Sequence, residues 1–176
     1  AEDRRQAPGG KVDLRAQEIL LRSPGDPQAF AERRRILHKR ADHEGQASLW
    51  RARAPHLSDS LARASAYFEA GRLAEQKQRS AAQAAQDYER AIAADSTFVP
   101  ALDALADLLY RSRQIDRARE LYSRLAELGS SLGHDEIALR RATLAKEAGD
   151  LEEARALFTL ASRLAPSRPE PHFELA

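Results

Sequence analysis

Apolar residues recur at three- and four-residue spacing along this chain, and the recurrence is cleanest between Asp95 and Gly129. Leu102, Leu105 and Leu109 fall on one helical face and Ala118, Leu121, Tyr122 and Leu125 on another, with a polar break at Ser112 to Gln114. Ala106 and Ala118 stand where two antiparallel helices must approach closely. The pattern predicts a helix-turn-helix hairpin of about 34 residues.

The same texture extends in both directions. Residues 1–10 are polar and punctuated by Pro and Gly, and predict a disordered leader. Residues 11–22 predict a helix with Val12, Ala16, Ile19 and Leu20 on one side, stopped by Ser23 to Pro27. A hairpin follows, with Phe30 and Leu37 on its first helix and Trp50 on its second; helical phase places Trp50 in the core. From Ser58 a long helix is expected, capped by Ser58 or Ser60. Gly71 has two readings there, an interhelix contact or a turn that starts a new helix at Arg72. Ala84, Tyr88 and Ala91 form the next inward face, residues 129–134 a connector, and Ala142, Ala145, Ala154, Phe158 and Ala161 a last hairpin turning at Gly149 and Asp150. Residues 169–176 begin one more helix.

These spacings resemble the tetratricopeptide repeat (TPR). With Val99 as the first residue, Leu102, Leu105, Ala106 and Leu109 fill the repeat's large, apolar, small and large places, and Ala118 and Tyr122 its small and aromatic places on the second helix. Ala154, Phe158, Ala161 and Pro166 match the second half of the later unit, and Ala84, Tyr88 and Ala91 that of the earlier one. Arg33 and Arg34 depart from the pattern, standing where an apolar and a small residue are expected, so this unit is degenerate. The resemblance implies an all-α fold, a right-handed superhelical solenoid of antiparallel helix-turn-helix repeats. Its units are 11–26 (partial), 27–57 (degenerate), 58–98, 99–132, 133–168 and 169–176 (partial). The texture of Ala, Arg and Leu looks like an excerpt of a long bacterial TPR protein.

Composition narrows the function classes. The 28 basic and 27 acidic side chains nearly cancel, so no strong global field announces a nucleic-acid binder. With no cysteine, disulfide frameworks and thiolate metal sites are excluded. The sequence has no methionine and starts at Ala1, which suggests a piece of a longer protein; no apolar run is long enough to cross a membrane. The compartment is not fixed, with the cytoplasm favoured over the periplasm.

Candidate chemistry is sparse. His38, His43 and His56 lie near one another in sequence, but the spacing of a zinc-helix signature is missing, and no phosphate-loop, dinucleotide or nucleophile-elbow motif occurs. Solvated or helix-end histidines are expected, no cofactor or metal is implied, and enzymatic activity has no sequence support. The basic run Arg33, Arg34, Arg35, Lys39, Arg40, Arg51 and Arg53 raises RNA or an acidic surface as an alternative partner. Interspersed Glu32, Asp42 and Glu44 favour a solvated helix face instead.

A non-enzymatic protein-protein interaction scaffold is the leading functional expectation. In TPR proteins the first helices of successive repeats line a groove that receives a protein or peptide segment, and the resemblance places Arg35, Lys39, Phe68, Glu69, Arg72, Asp103, Asp107, Tyr110, Arg111, Leu139, Arg140 and Thr143 on it. The chaperone-binding subclass needs Lys and Asn where Asp103 and Asp107 stand, which puts that activity in doubt. One turn apart, these carboxylates are expected to hold a partner's cation beside Tyr110, or else to pair locally with Arg111, Arg140 or Arg141. Exposed Phe173 and Leu175 would favour self-association through the C-terminal end.

Overall fold

The computed structural model describes residues 8–77, 80–130 and 132–167, with side chains from residue 13 onward. Among these residues the structure is all-α: α1 (Pro8–Arg22), α2 (Pro27–Lys39), α3 (His43–Arg53), α4 (Ser60–Gln76), α5 (Ala81–Ala94), α6 (Val99–Arg111), α7 (Ile115–Leu128), α8 (His134–Glu147) and α9 (Leu151–Leu164), with one 3-10 turn at Ala54–His56.

The starts and stops follow from local chemistry. Four helices begin at an aspartate whose carboxylate accepts a backbone N–H of the first turn: Asp26 from Ala29, Asp42 from Gly45, Asp59 from Ala62 and Asp150 from Glu153. The cap of α4 is therefore Asp59, not Ser58 or Ser60, and it puts a carboxylate at the positive end of the helix dipole. Three hairpins turn on one device, a residue in the left-handed region just past the first helix: Ala41, Arg113 and Gly149. In each, the next N–H reaches back five residues to a helical carbonyl, Asp42 to Leu37, Gln114 to Leu109 and Asp150 to Ala145, so the orphan acceptors of the helix end are satisfied.

The chain forms two compact units, Ala1–Ser96 and Thr97–Ala176. In the first, each helix packs on the next from α1 to α5; in the second, α6 on α7, α7 on α8 and α8 on α9. The seams are built on alanine: Ala64, Ala70, Ala74, Ala84 and Ala91 in the first unit and Ala106, Ala118, Ala142 and Ala145 in the second are fully buried. Small side chains let the backbones approach, and Tyr88, Tyr122 and Phe158 fill the space between them. Gly71 lies inside α4 under the ring of Tyr88, so the contact reading holds and the turn reading falls.

α1 differs from its expected form. It starts at Pro8, so part of the expected leader is helical, while residues 1–7 lie outside the described residues, as does the side chain of Val12. Ile19 is exposed and Leu20 half-buried, and the inward places belong to Asp13 and Ala16. A face carrying a carboxylate is invisible to a search for apolar periodicity. The final partial unit, with Phe173 and Leu175, also lies outside the described residues.

Candidate interaction cleft

The departure from the repeat pattern at Arg33 and Arg34 decides the local structure of the first unit. Arg33 turns back to α1 and pairs with Asp13, whose second oxygen accepts from Arg40 at 2.6 Å. Arg34 projects the other way, its guanidinium 5.7 Å from the centre of the Trp50 ring. A long cation stands here at a place where the repeat pattern has a small residue, and it lines a cavity together with Trp50.

Trp50 is accordingly half-buried, not a core residue as its phase suggested. Its inner edge packs on Phe30 at 4.6 Å in an edge-to-face contact, and Arg53 covers the other side of Phe30 at 4.2 Å. The outer part of the indole forms the floor of a cavity of about 640 Å³ between α2 and α4. α2 contributes Ala31, Arg34, Arg35 and His38, α3 contributes His43, Gln46 and Trp50, and α4 with the residue after it contributes Glu69, Arg72, Leu73 and Lys77. Among the described residues the lining thus carries three arginines and a lysine against one carboxylate. Hydrogen bonding and charge from Glu32, at 2.7 Å, raise the Arg35 pKa. Arg72 approaches Glu69 at 3.5 Å, so the acid of the wall is partly neutralised within its own helix.

Of the groove residues expected in this unit, the structure brings Arg35, Glu69 and Arg72 together around this cavity. Lys39 is exposed and outside the lining, and Phe68 is half-buried with its ring 5.7 Å from Tyr88. Trp50, Arg34 and Lys77 belong to the site and were not expected there. For Arg34 the signal was its breach of the repeat pattern, a charged residue at a packing position; Trp50 and Lys77 carried no such signal.

The basic run does not form a continuous stripe. Arg33 and Arg40 converge on Asp13, and Arg51 pairs with Asp87 of α5 at 2.9 Å, joined by Arg90 at 3.3 Å. Asp87 is completely buried, so these arginines serve as internal counter-ions.

In the second unit the expected groove residues knit to one another. Arg140 on α8 donates to Asp107 at 2.9 Å, to Glu136 at 2.9 Å and to the Tyr122 hydroxyl at 2.9 Å, and lies 5.2 Å from the centre of the Tyr110 ring. Asp107 also accepts from Arg111 at 2.8 Å, and Asp103 accepts from the Ser130 hydroxyl. The cation beside Asp107 and Tyr110 is therefore the chain's own. Desolvation works against the Arg140 charge, yet hydrogen bonds to Glu136, Asp107 and Tyr122 outweigh it and raise its pKa. Burial pushes the Tyr122 hydroxyl up, despite the opposing bond from Arg140. Leu139 packs half-buried against the core around Ala142, and the Thr143 hydroxyl donates to the Leu139 carbonyl at 3.0 Å.

His38 and His43 line the cleft, whereas His56 sits exposed in the 3-10 turn. Among the described residues no group of three His, Asp or Glu side chains is placed to hold a metal ion, and no helix is long and apolar enough to cross a membrane.

No family profile matches the chain, and no curated protein sequence matches it either. Solved structures do. YrrB, described as a TPR protein with an unusual peptide-binding site, superposes over 94% of this chain and 82% of its own with a TM-score of 0.59 at 11% identity. MamA superposes over 96% of both chains with a TM-score of 0.58 at 15% identity. PilF of Pseudomonas aeruginosa does so over 92% of this chain and 71% of its own, with a TM-score of 0.57 at 21% identity. The chain has the tetratricopeptide-repeat fold. At these identities the likeness concerns the path of the helices and not the residues of any site.

Proposed function

We propose that the chain is a protein-interaction scaffold and that a segment of its partner lies in the cleft between α2 and α4. The observation that carries this reading is Trp50, a large apolar ring left half-open at the floor of a concave site whose walls are polar and charged. Such a combination, an aromatic anchor point with a few convergent polar groups, is the ordinary composition of a recognition site. In the second unit, the strip from Asp103 to Arg140 is spent on holding α8 against α6 and α7, which favours the first unit as the docking surface.

A photo-activated cross-linker at His38 tests the reading, with the same group at exposed Ala82 on α5 as its control. The expected result is a defined cross-linked protein from His38 alone, lost when Arg35→Glu and Arg72→Glu are introduced together. Equal cross-linking from both positions, or indifference to the charge reversals, would exclude the cleft as the interface.

A further inference from the structure

The chemistry of the cleft wall selects among partner segments, and this step rests on the reading of the cleft as the docking surface. We propose that the segment it takes is acidic and carries one aromatic or branched apolar side chain among its carboxylates.

Arg34 and Arg35 stand on one wall and Arg72 and Lys77 on the other, while among the described residues Glu69 is the single carboxylate of the lining and already lies beside Arg72, as Glu32 outside the lining does beside Arg35. A chain laid between these walls has cations within reach on both sides. Carboxylates on successive residues of an extended segment point to opposite sides and would meet both walls, and guanidinium groups take carboxylates in a paired, planar geometry. The floor demands something different: Trp50 and Leu73 offer apolar surface that a purely acidic chain would leave wet. An intervening Phe or Leu side chain covers the open part of the indole and displaces that water.

A nucleic acid fits less well. Strand binding draws on a stripe of cations following successive phosphates. Here the arginines that would extend the stripe beyond the cleft, Arg33, Arg40 and Arg51, are bound to Asp13 and Asp87.

Trp50 is the sole tryptophan of the chain, so its emission reports on the cleft alone. The test titrates the full chain with a short peptide of glutamates flanking one phenylalanine, with its alanine-centred counterpart, with a lysine-flanked phenylalanine peptide, and with oligouridylate. The acidic phenylalanine peptide should change Trp50 emission saturably and bind best of the four. Its affinity should weaken as salt rises toward about 0.5 M, where exposed charges are strongly screened. Arg34→Glu with Arg72→Glu should reduce its binding by about tenfold or more, the scale of a lost charge-assisted bond, with helical circular dichroism unchanged. Equal binding of the lysine peptide, or tighter binding of oligouridylate, overturns the assignment. If His38 still cross-links a partner while no acidic peptide perturbs Trp50, the acidic-segment assignment falls and the cleft reading survives; loss of both removes both.

Discussion

Gly71 on α4 lies so close to Tyr88 on α5 that a methyl group at Gly71 would stand 2.5 Å from Cε1 of the ring. The ring cannot easily give way: it is almost fully buried, and its hydroxyl donates to Glu75 at 2.8 Å. Gly71→Ala gains up to about 1 kcal/mol of helix propensity but overpacks the seam at a cost of about 1–3 kcal/mol. A net fall in the urea midpoint of the first unit is expected; a rise would mean that Tyr88 moves freely.

Asp87 offers a second test. Asp87→Ala leaves Arg51 mostly buried without its main counter-charge and should destabilise by about 3 kcal/mol, the low end for breaking a buried ion pair because Arg51 retains some access to water. Replacing the pair together, Asp87→Leu with Arg51→Met, should recover most of that loss. Denaturation of the two variants side by side decides whether the pair is needed for stability or only one member without the other is harmful.

The three equivalent turns predict a stabilising change. Ala41 holds a left-handed backbone conformation that Gly149 holds without strain at the corresponding place. Ala41→Gly should raise stability by about 1 kcal/mol, the cost an L residue bears in that region, and should be visible as a higher melting temperature.

Asp107 is part of the lock on α8. Asp107→Asn should cost about 0.5–1 kcal/mol, since both the carboxylate and its partners keep contact with solvent. Partner binding through the cleft of the first unit should be unchanged. Loss of binding without loss of stability would restore the aspartates as a partner contact.

The same lock gives a pH dependence. Because the folded-state pKa of Tyr122 is raised above its ordinary value of 10.0, its contribution is fully present below that pH. It is lost as pH rises, when the unfolded chain sheds the proton and the folded one resists. Above pH 10.0 the protein should therefore lose stability more steeply than a Tyr122→Phe variant. Denaturant midpoints measured across that range check the sign, and parallel curves would show that the hydroxyl titrates normally.

The amino-acid pattern by itself determined the hairpins: heptad-like apolar spacing, alanine at close-approach places and glycine or polar breaks at turns are local signals, and each hairpin is a local structure. Leu102 to Leu125 read the same in sequence and in space because α6 and α7 are consecutive helices that pack on each other. Only the tertiary structure decided how charges are disposed. Asp13 with Arg33 and Arg40, Asp87 with Arg51, and Arg140 with Asp107 join side chains that no periodicity connects, since an ion pair depends on distance in space and not on spacing along the chain. Trp50 shows the limit most directly: its helical phase points inward, but whether inward means core or cleft depends on how the neighbouring helices pack around it, and in the structure it stays half-buried and lines a cavity with residues of α2 and α4.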